Sequence, residues 1–345
     1  MRRTLSACLV TLLLLAGCTG NERAEVLTHP QPLPSYTDGI RINAWFSQTS
    51  GNYHEGGGID QLLVDDIESA ESEILLAIYA VTNDRLRDAL IQAHERGVDV
   101  QIVTDDGEYE DEDMKRLRQS GIVVHHDDDR YALMHDKFLV IDDRVVWSGS
   151  CNYTYYAFYR NNENLVKITS QKIAAVYKVE FEELLQRRYI ENPFISETIE
   201  IYFSPEDNFK QRLLQLIAGA KERIDFLAFA FTDEAIAKAL IAKKEAGVSV
   251  RGVIDEKQNS YQKYSEYAYL KSQGIEVYLD ANPFTLHDKV MIIDDTVVTG
   301  SYNFTQKAND TNNENSIVVH NGAFAQKYLS EFEKIFTLAR SAGKE

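Results

Sequence analysis

A block of about 150 residues occurs twice in this 345-residue chain. A duplication of that length is a repeated domain rather than a solenoid unit. The two copies share more than a general pattern. Met134-His135-Asp136-Lys137-Phe138-Leu139-Val140-Ile141-Asp142 leads into Gly149-Ser150-Cys151-Asn152, and Asn161 to Asn164 follow as Asn-Asn-Glu-Asn. The second copy reads Leu286-His287-Asp288-Lys289-Val290-Met291-Ile292-Ile293-Asp294, then Gly300-Ser301-Tyr302-Asn303, then Asn-Asn-Glu-Asn at Asn312 to Asn315. It is one residue shorter between its Asp and its Gly.

Around the motifs, both copies run the same programme. Arg41 to Phe46 alternates as a strand and corresponds to Ile199 to Phe203. Helices carrying Leu62, Leu63, Ile67 and Ala70, and Phe209 to Ala220, come next. The continuous apolar runs Ile74 to Val81 and Ile224 to Phe231 read as buried strands. A helix capped by Asp84 and ended by Gly97 matches Glu234 to Glu245. Val98 to Val103 matches the strand after Gly247. Strand–helix–strand order makes each sheet partly parallel. Tyr177 and Phe181 of a closing helix correspond to Tyr328 and Phe332. Gly56-Gly57-Gly58 has no following Lys-Ser and reads as a turn rather than a phosphate loop.

Each H-x-K opens a strand, Lys137 to Ile141 and Lys289 to Ile293. Residues two apart on a strand point to one side, so each His and its Lys face one cleft. One copy therefore supplies one imidazole and one ammonium. A covalent displacement needs a nucleophile on one side of the reacting atom and an acid on the other, and two copies facing each other supply both.

The paired H-x-K-x-x-x-x-D and G-S-x-N motifs resemble the phospholipase D superfamily, the phosphodiesterases with two HKD motifs, over nearly the whole mature chain. The resemblance implies an α/β fold: two tandem phospholipase D-like α/β/α sandwich domains related by a pseudo-two-fold, with one active site at their interface and no metal or other cofactor. It implies His135 as nucleophile and His287 as acid and base, Lys137 and Lys289 on the non-bridging oxygens, and Glu163 and Glu314 orienting the imidazoles. Ser150, Asn152, Ser301 and Asn303 are expected to bind phosphate. Asp142 and Asp294 lie about 15 Å or more from their histidines by strand rise, so a structural role at the strand-end turn is expected. His125-His126 with Asp127, Asp128 and Asp129 reads as a solvated loop rather than a metal site.

The first residues are a targeting segment. Arg2 and Arg3 precede a short apolar core, Leu9 to Leu15. Leu15-Ala16-Gly17-Cys18 resembles a bacterial lipobox, which implies a leader over 1–17 and lipid on Cys18. Thr19 after it favours the outer membrane, facing the periplasm. Residues 18–39, with Pro30, Pro32 and Pro34, form an extended tether. The first domain is expected over 40–192 and the second over 193–345, a monomer with an internal pseudo-dimer. Of Cys8, Cys18 and Cys151, only the last is left for the folded part, so no intrachain disulfide is expected.

The formal charge is −18, which does not suit sequence-blind polyanion binding. Acidity and the anchor favour a phospholipid substrate at a membrane surface, with an exported nuclease as the alternative. A catalytically silent binding protein is disfavoured by the intact His and Lys of both copies. The aromatic run Tyr153 to Tyr159 reads as a cage for a quaternary ammonium, a stacking platform for bases, or core. The acids Asp105, Asp106, Glu108, Glu110, Asp111, Glu112 and Asp113 are expected on the cleft rim.

Overall fold

The computed structural model describes residues 39–49 and 58–343. The leader, Cys18, nearly all of the tether and Gly56-Gly57 lie outside the described residues. The first repeat runs β1 (Arg41–Phe46), α1 (Asp60–Glu68), β2 (Glu73–Ile78), α2 (Asp84–Glu95), β3 (Asp99–Thr104), α3 (Glu112–Gln119), β4 (Val123–His126), β5 (Lys137–Ile141), β6 (Val145–Gly149), α4 (Tyr155–Tyr159), β7 (Asn164–Thr169) and α5 (Gln171–Gln186). The second runs β8 (Phe194–Ile195), β9 (Ile199–Ser204), α6 (Phe209–Gly219), β10 (Arg223–Ala228), α7 (Glu234–Glu245), β11 (Ser249–Ile254), α8 (Glu256–Tyr261), α9 (Tyr267–Ser272), β12 (Glu276–Leu279), β13 (Lys289–Ile293), β14 (Thr296–Gly300), α10 (Gln306–Asp310), β15 (Glu314–His320) and α11 (Gly322–Ala342).

The sheets have the same strand order. One is β1-β7-β6-β5-β2-β3-β4; the other, read in reverse, is β8-β9-β15-β14-β13-β10-β11-β12, with β8 added at the edge. The helix-connected strands β2-β3-β4 and β10-β11-β12 pair in parallel, and the rest are antiparallel. The parallel part comes from the βαβ units seen in the pattern of apolar runs. The apolar run from Ile74 leaves the strand at Ile78, earlier than expected, and Val81 instead makes a bridge to Tyr153. The cap of α2 is Asn83, not Asp84: its side chain accepts from the N–H groups of Arg85 and Leu86.

Period-two alternation distributes the core. Phe138 and Val140 of β5, with Val290 and Ile292 of β13, join Tyr177 and Phe181 of α5 and Tyr328 and Phe332 of α11 in one cluster shared by both repeats. Leu139 and Ile141 turn the other way onto α1 and α2, as Met291 and Ile293 turn onto α6 and α7. The two closing helices are thus buried in a core common to both halves, and the halves are joined by hydrophobic burial. Among the described residues no helix is long and apolar enough to cross a membrane.

Candidate active site

Both histidines sit two residues ahead of a central strand, in loops that cross to the other repeat. The His135 N–H donates to the carbonyl of Asn313 at 3.0 Å, and the His287 N–H to that of Asn162 at 2.9 Å. Parallel bridges Met134–Asn313 and Asn162–Leu286 fix this exchange. Each imidazole therefore meets the glutamate of the opposite copy. His135 Nδ1 lies 2.8 Å from Glu314 Oε2. His287 Nδ1 lies 2.9 Å from the Glu163 carboxylate. Both glutamates are buried and both histidines nearly so. The motif spacing placed the Glu and His together but carried no sign that the pairing is reciprocal.

Lys137 and Lys289 are buried at the strand starts. Lys137 Nζ donates to the His135 carbonyl at 2.7 Å, and Lys289 Nζ donates to the His287 carbonyl. An aromatic ring backs each pair. Tyr79 stands edge-on to His135 with ring centroids 5.6 Å apart, and Phe229 stands edge-on to His287 at 4.6 Å. Lys137 Nζ is 5.7 Å from the Tyr79 centroid and Lys289 Nζ 4.7 Å from that of Phe229. These rings were missed in the sequence; their signal was their common position just past β2 and β10.

Burial and the two ammonium groups hold both imidazoles well below their usual range. Burial lowers Lys137 to about 7 and Lys289 to about 8, and raises Glu163 to about 7 and Glu314 to about 8. Desolvation disfavours every charge here. A monoanion held between the ammonium groups relieves their mutual repulsion, so the arrangement is suited to a phosphodiester.

The last Asn of each Asn-Asn-Glu-Asn was also missed as a functional position. Asn164 Nδ2 donates to Asp288 at 2.7 Å, and its Oδ1 accepts from Thr299 at 2.8 Å and Tyr328 at 3.0 Å. Asn315 answers with a bond to Asp136 at 3.0 Å and one from Ser148 at 2.5 Å. The Asp inside each H-D-K is thereby held from the opposite repeat.

The G-S-x-N motif has a local cause. A Cβ on Gly149 or Gly300, at φ +133° and +140°, would fall 2.3 or 2.2 Å from the carbonyl oxygen of Asn164 or Asn315. Only glycine permits that approach. It lets Ser150 Oγ donate to Glu163 Oε2 at 2.6 Å and accept the Asn164 N–H at 3.0 Å. Ser301 Oγ accepts the Asn315 N–H at 3.0 Å and bonds Glu314. In the structure both hydroxyls, expected to bind phosphate, bond the glutamates. Asn152 and Asn303 flank them, each with a buried amide oxygen that has no hydrogen-bond partner among the described residues.

Asp142 and Asp294 lie away from this cluster. Asp142 accepts the N–H groups of Glu71, Ser72 and Glu73 at 2.8–3.1 Å, and Asp294 those of Lys221, Glu222 and Arg223 at 2.8–3.0 Å. These bonds hold both carboxyls below the usual range despite partial burial, which acts the other way. Replacing Asp142 with Ala is expected to cost about 2 kcal/mol in urea unfolding by loss of charge-assisted bonds. Because its folded value is depressed, that contribution is present above the unfolded carboxylate range near pH 4 and is lost as pH falls further.

The acidic rim is corrected in part. Asp105 is buried and accepts the Met134 N–H at 3.1 Å, as Asp255 accepts that of Leu286 at 2.9 Å. Asp111 caps α3. Asp127 is buried rather than solvated, and Asp280 is its counterpart in the second repeat. Asp127 accepts the Asp106 N–H at 2.8 Å, as Asp280 accepts that of Glu256 at 2.7 Å. His125 and His126 belong to β4. In the aromatic run, Tyr153, Phe158 and Tyr159 are core, while Tyr156 is 56% exposed and packs on Phe284 at 5.9 Å.

The family of the cardiolipin synthase, PLD-like domain matches the chain twice, at residues 63–185 and 213–336. A mitochondrial cardiolipin hydrolase from Chlamydomonas reinhardtii is 33% identical over 123 residues, 35% of this chain and 55% of that protein. A phospholipase D from Rickettsia prowazekii is 37% identical over 131 residues, 38% of this chain and 63% of that one. The chain thus spans less than two thirds of either relative. Among solved structures, Nuc, a phospholipase D family member from Salmonella typhimurium, is 36% identical over 43% of this chain and 96% of its own, with a TM-score of 0.39. Phosphatidylserine synthase from Haemophilus influenzae is 13% identical, covers 86% of this chain and 85% of its own, and has a TM-score of 0.62; it shares the fold of both halves. With both copies of the domain matched, the chain belongs to the PLD-like domain family of the phospholipase D superfamily.

Proposed function

We propose that this protein is a phosphodiesterase, a phospholipase D that hydrolyses the head-group phosphodiester of glycerophospholipids to phosphatidate and an alcohol. The observation that carries the chemistry is the reciprocal His–Glu pairing, which puts two imidazoles and two ammonium groups in one buried cleft. His135 Nε2 attacks phosphorus and the bond to the head-group oxygen breaks. His287 gives its proton to that oxygen, then takes one from water as the water attacks and the P–N bond breaks. Lys137 and Lys289 hold the non-bridging oxygens as charge builds. Glu314 and Glu163, at Nδ1, leave Nε2 as the reacting nitrogen and stabilise each imidazolium when it forms. Ser150 and Ser301 position those glutamates. Asn152 and Asn303 donate amide hydrogens to the same oxygens, while Asp142 and Asp294 brace the turns.

The lipid substrate is supported by the relatives named phospholipase D and cardiolipin hydrolase and by the acidic chain. Export, lipid on Cys18 and an outer-membrane position facing the periplasm complete the proposal, since an anchor concentrates enzyme and substrate at one surface. Incubation with phosphatidylcholine vesicles, and separately with single- and double-stranded DNA, tests it. Choline release with intact DNA is the expected result; DNA cleavage without choline release makes the protein a nuclease. Radiolabelled palmitate incorporated by the wild type and lost in Cys18→Ser tests the anchor.

The pH profile follows from the buried cations. Raising pH through about 7 to 8 removes protons from Lys137 and Lys289, so kcat/KM is expected to fall on that limb. The apparent values belong to the coupled cluster of lysines and carboxylates. Bound phosphodiester favours the charged lysines, so the basic limb of kcat is expected at higher pH than that of kcat/KM. Coincident limbs would contradict lysine binding of the phosphoryl oxygens.

A further inference from the structure

Three tyrosines are the most exposed large apolar side chains of the described residues: Tyr131 at 89%, Tyr261 at 83% and Tyr264 at 72%. Single exposed rings are ordinary on a protein surface, but these share a location. Tyr131 lies in the loop between β4 and β5, just ahead of His135. Tyr261 ends α8 and Tyr264 follows it. That helix leaves the end of β11 at which Ile254 lies beside Ala228, and Ala228 beside Lys289. Lys257 of α8 donates to the carbonyls of Pro283, at 2.9 Å, and Phe284, which ties α8 to the loop ahead of His287. Tyr156 rests on Phe284 in the same loop. All four rings therefore stand at the catalytic end of the sheets. The chain enters at the other end: Arg41 opens β1 beside Thr169, and only the last residue of that strand, Phe46, reaches Asn164.

His135 and His287 are nearly buried, so a phosphodiester held in a bilayer reaches them only if the mouth of the cleft comes down onto the head groups. An anchor on Cys18 does not aim the mouth, because it brings the chain in at the far end. Tyrosine suits the aiming role. Its ring is apolar and its hydroxyl stays wet, which places it at the head-group level of a membrane. A platform for single-stranded nucleic acid also uses exposed rings, but sets them in a cationic groove. Here Tyr131 follows Asp127, Asp128, Asp129 and a single arginine, Arg130, in a chain of net charge −18. The same acidity opposes attraction to anionic lipid. The rings therefore act on a zwitterionic surface, by partition rather than by charge.

We propose that Tyr131, Tyr261 and Tyr264 dip into the head-group layer of a zwitterionic bilayer and turn the cleft toward it. The proposal rests on the phospholipase D reading and is tested with the full chain in two ways. In the first, Tyr261→Trp is compared with Ile195→Trp in vesicles of brominated phosphatidylcholine, over the background of Trp45 and Trp147. Ile195 is an exposed residue at the far end, on β8 next to the start of β9. Quenching is expected at position 261 and not at 195. In the second, the triple variant Tyr131→Ser, Tyr261→Ser, Tyr264→Ser is expected to lose about tenfold or more in kcat/KM toward phosphatidylcholine vesicles. Its rates on monomeric short-chain phosphatidylcholine and on bis(p-nitrophenyl) phosphate should match the wild type. Quenching at both positions or at neither, or a triple variant that keeps the vesicle rate, overturns the rim and leaves the lipid substrate standing. A wild type that turns over bis(p-nitrophenyl) phosphate but neither form of phosphatidylcholine overturns the lipid substrate, and the rim with it. Loss of single-stranded DNA cleavage in the triple variant then assigns the rings to base stacking.

Discussion

His135→Asn is expected to lose about 10⁴-fold or more in kcat/KM toward every phosphodiester, because no other group replaces the nucleophile. His287→Asn should behave differently. With bis(p-nitrophenyl) phosphate the leaving group needs no proton, so attack by His135 still releases one p-nitrophenolate per enzyme. Without a base to activate water, the phosphoryl adduct then stays on the protein. A single-turnover burst, with the added mass located on His135, is the measurement. A burst from His135→Asn, with the adduct on His287, would reverse the two roles. Equal and complete loss of the burst in both variants would remove the covalent route.

Asn315→Ala and Asn164→Ala are each expected to cost about 3 kcal/mol in urea unfolding, because each leaves a buried carboxyl without its donor. Asn315 is the donor that favours the charged form of Asp136, whose carboxyl burial raises to about 7. A protonated Asp136 needs that donor less. The deficit of Asn315→Ala should therefore widen as pH rises through about 7 and narrow toward pH 5. The two repeats share a core, so the variants should still unfold in one step. A loss below 1 kcal/mol, or separate transitions for the two halves, would contradict the bracing role of this network.

What could be read in the chain and what could not follow from the range of the interactions. β5 and β13 were legible to the residue, because a buried strand is a local pattern and the H-x-K opening marks its start. Helix α7 was likewise legible at both ends. The run from Ile74 was drawn too long because apolar residues continue past the strand into a bend, where Val81 finds a different partner. The contact of the Tyr79 ring with His135 joins residues far apart in the chain, and only its matching position with Phe229 marked it. The reciprocal pairing of His and Glu is of the same kind: both copies carry identical motifs, and no local pattern distinguishes a partner in the same copy from one in the other. The bonds from the serines to the glutamates were not legible either, because they depend on the glycine-permitted approach of two backbone segments.

The exchange of glutamates between repeats has a bearing on when activity arises during synthesis. A nascent chain that has released only its first repeat presents His135 with no carboxylate at Nδ1, and its Glu163 with no imidazole to orient. The His287–Glu163 pair closes only after the loop before β13 has emerged and docked, and the His135–Glu314 pair only after β15 has done so. Neither His–Glu pair can therefore be completed within a single first repeat, and assembly of the site waits on docking of the second.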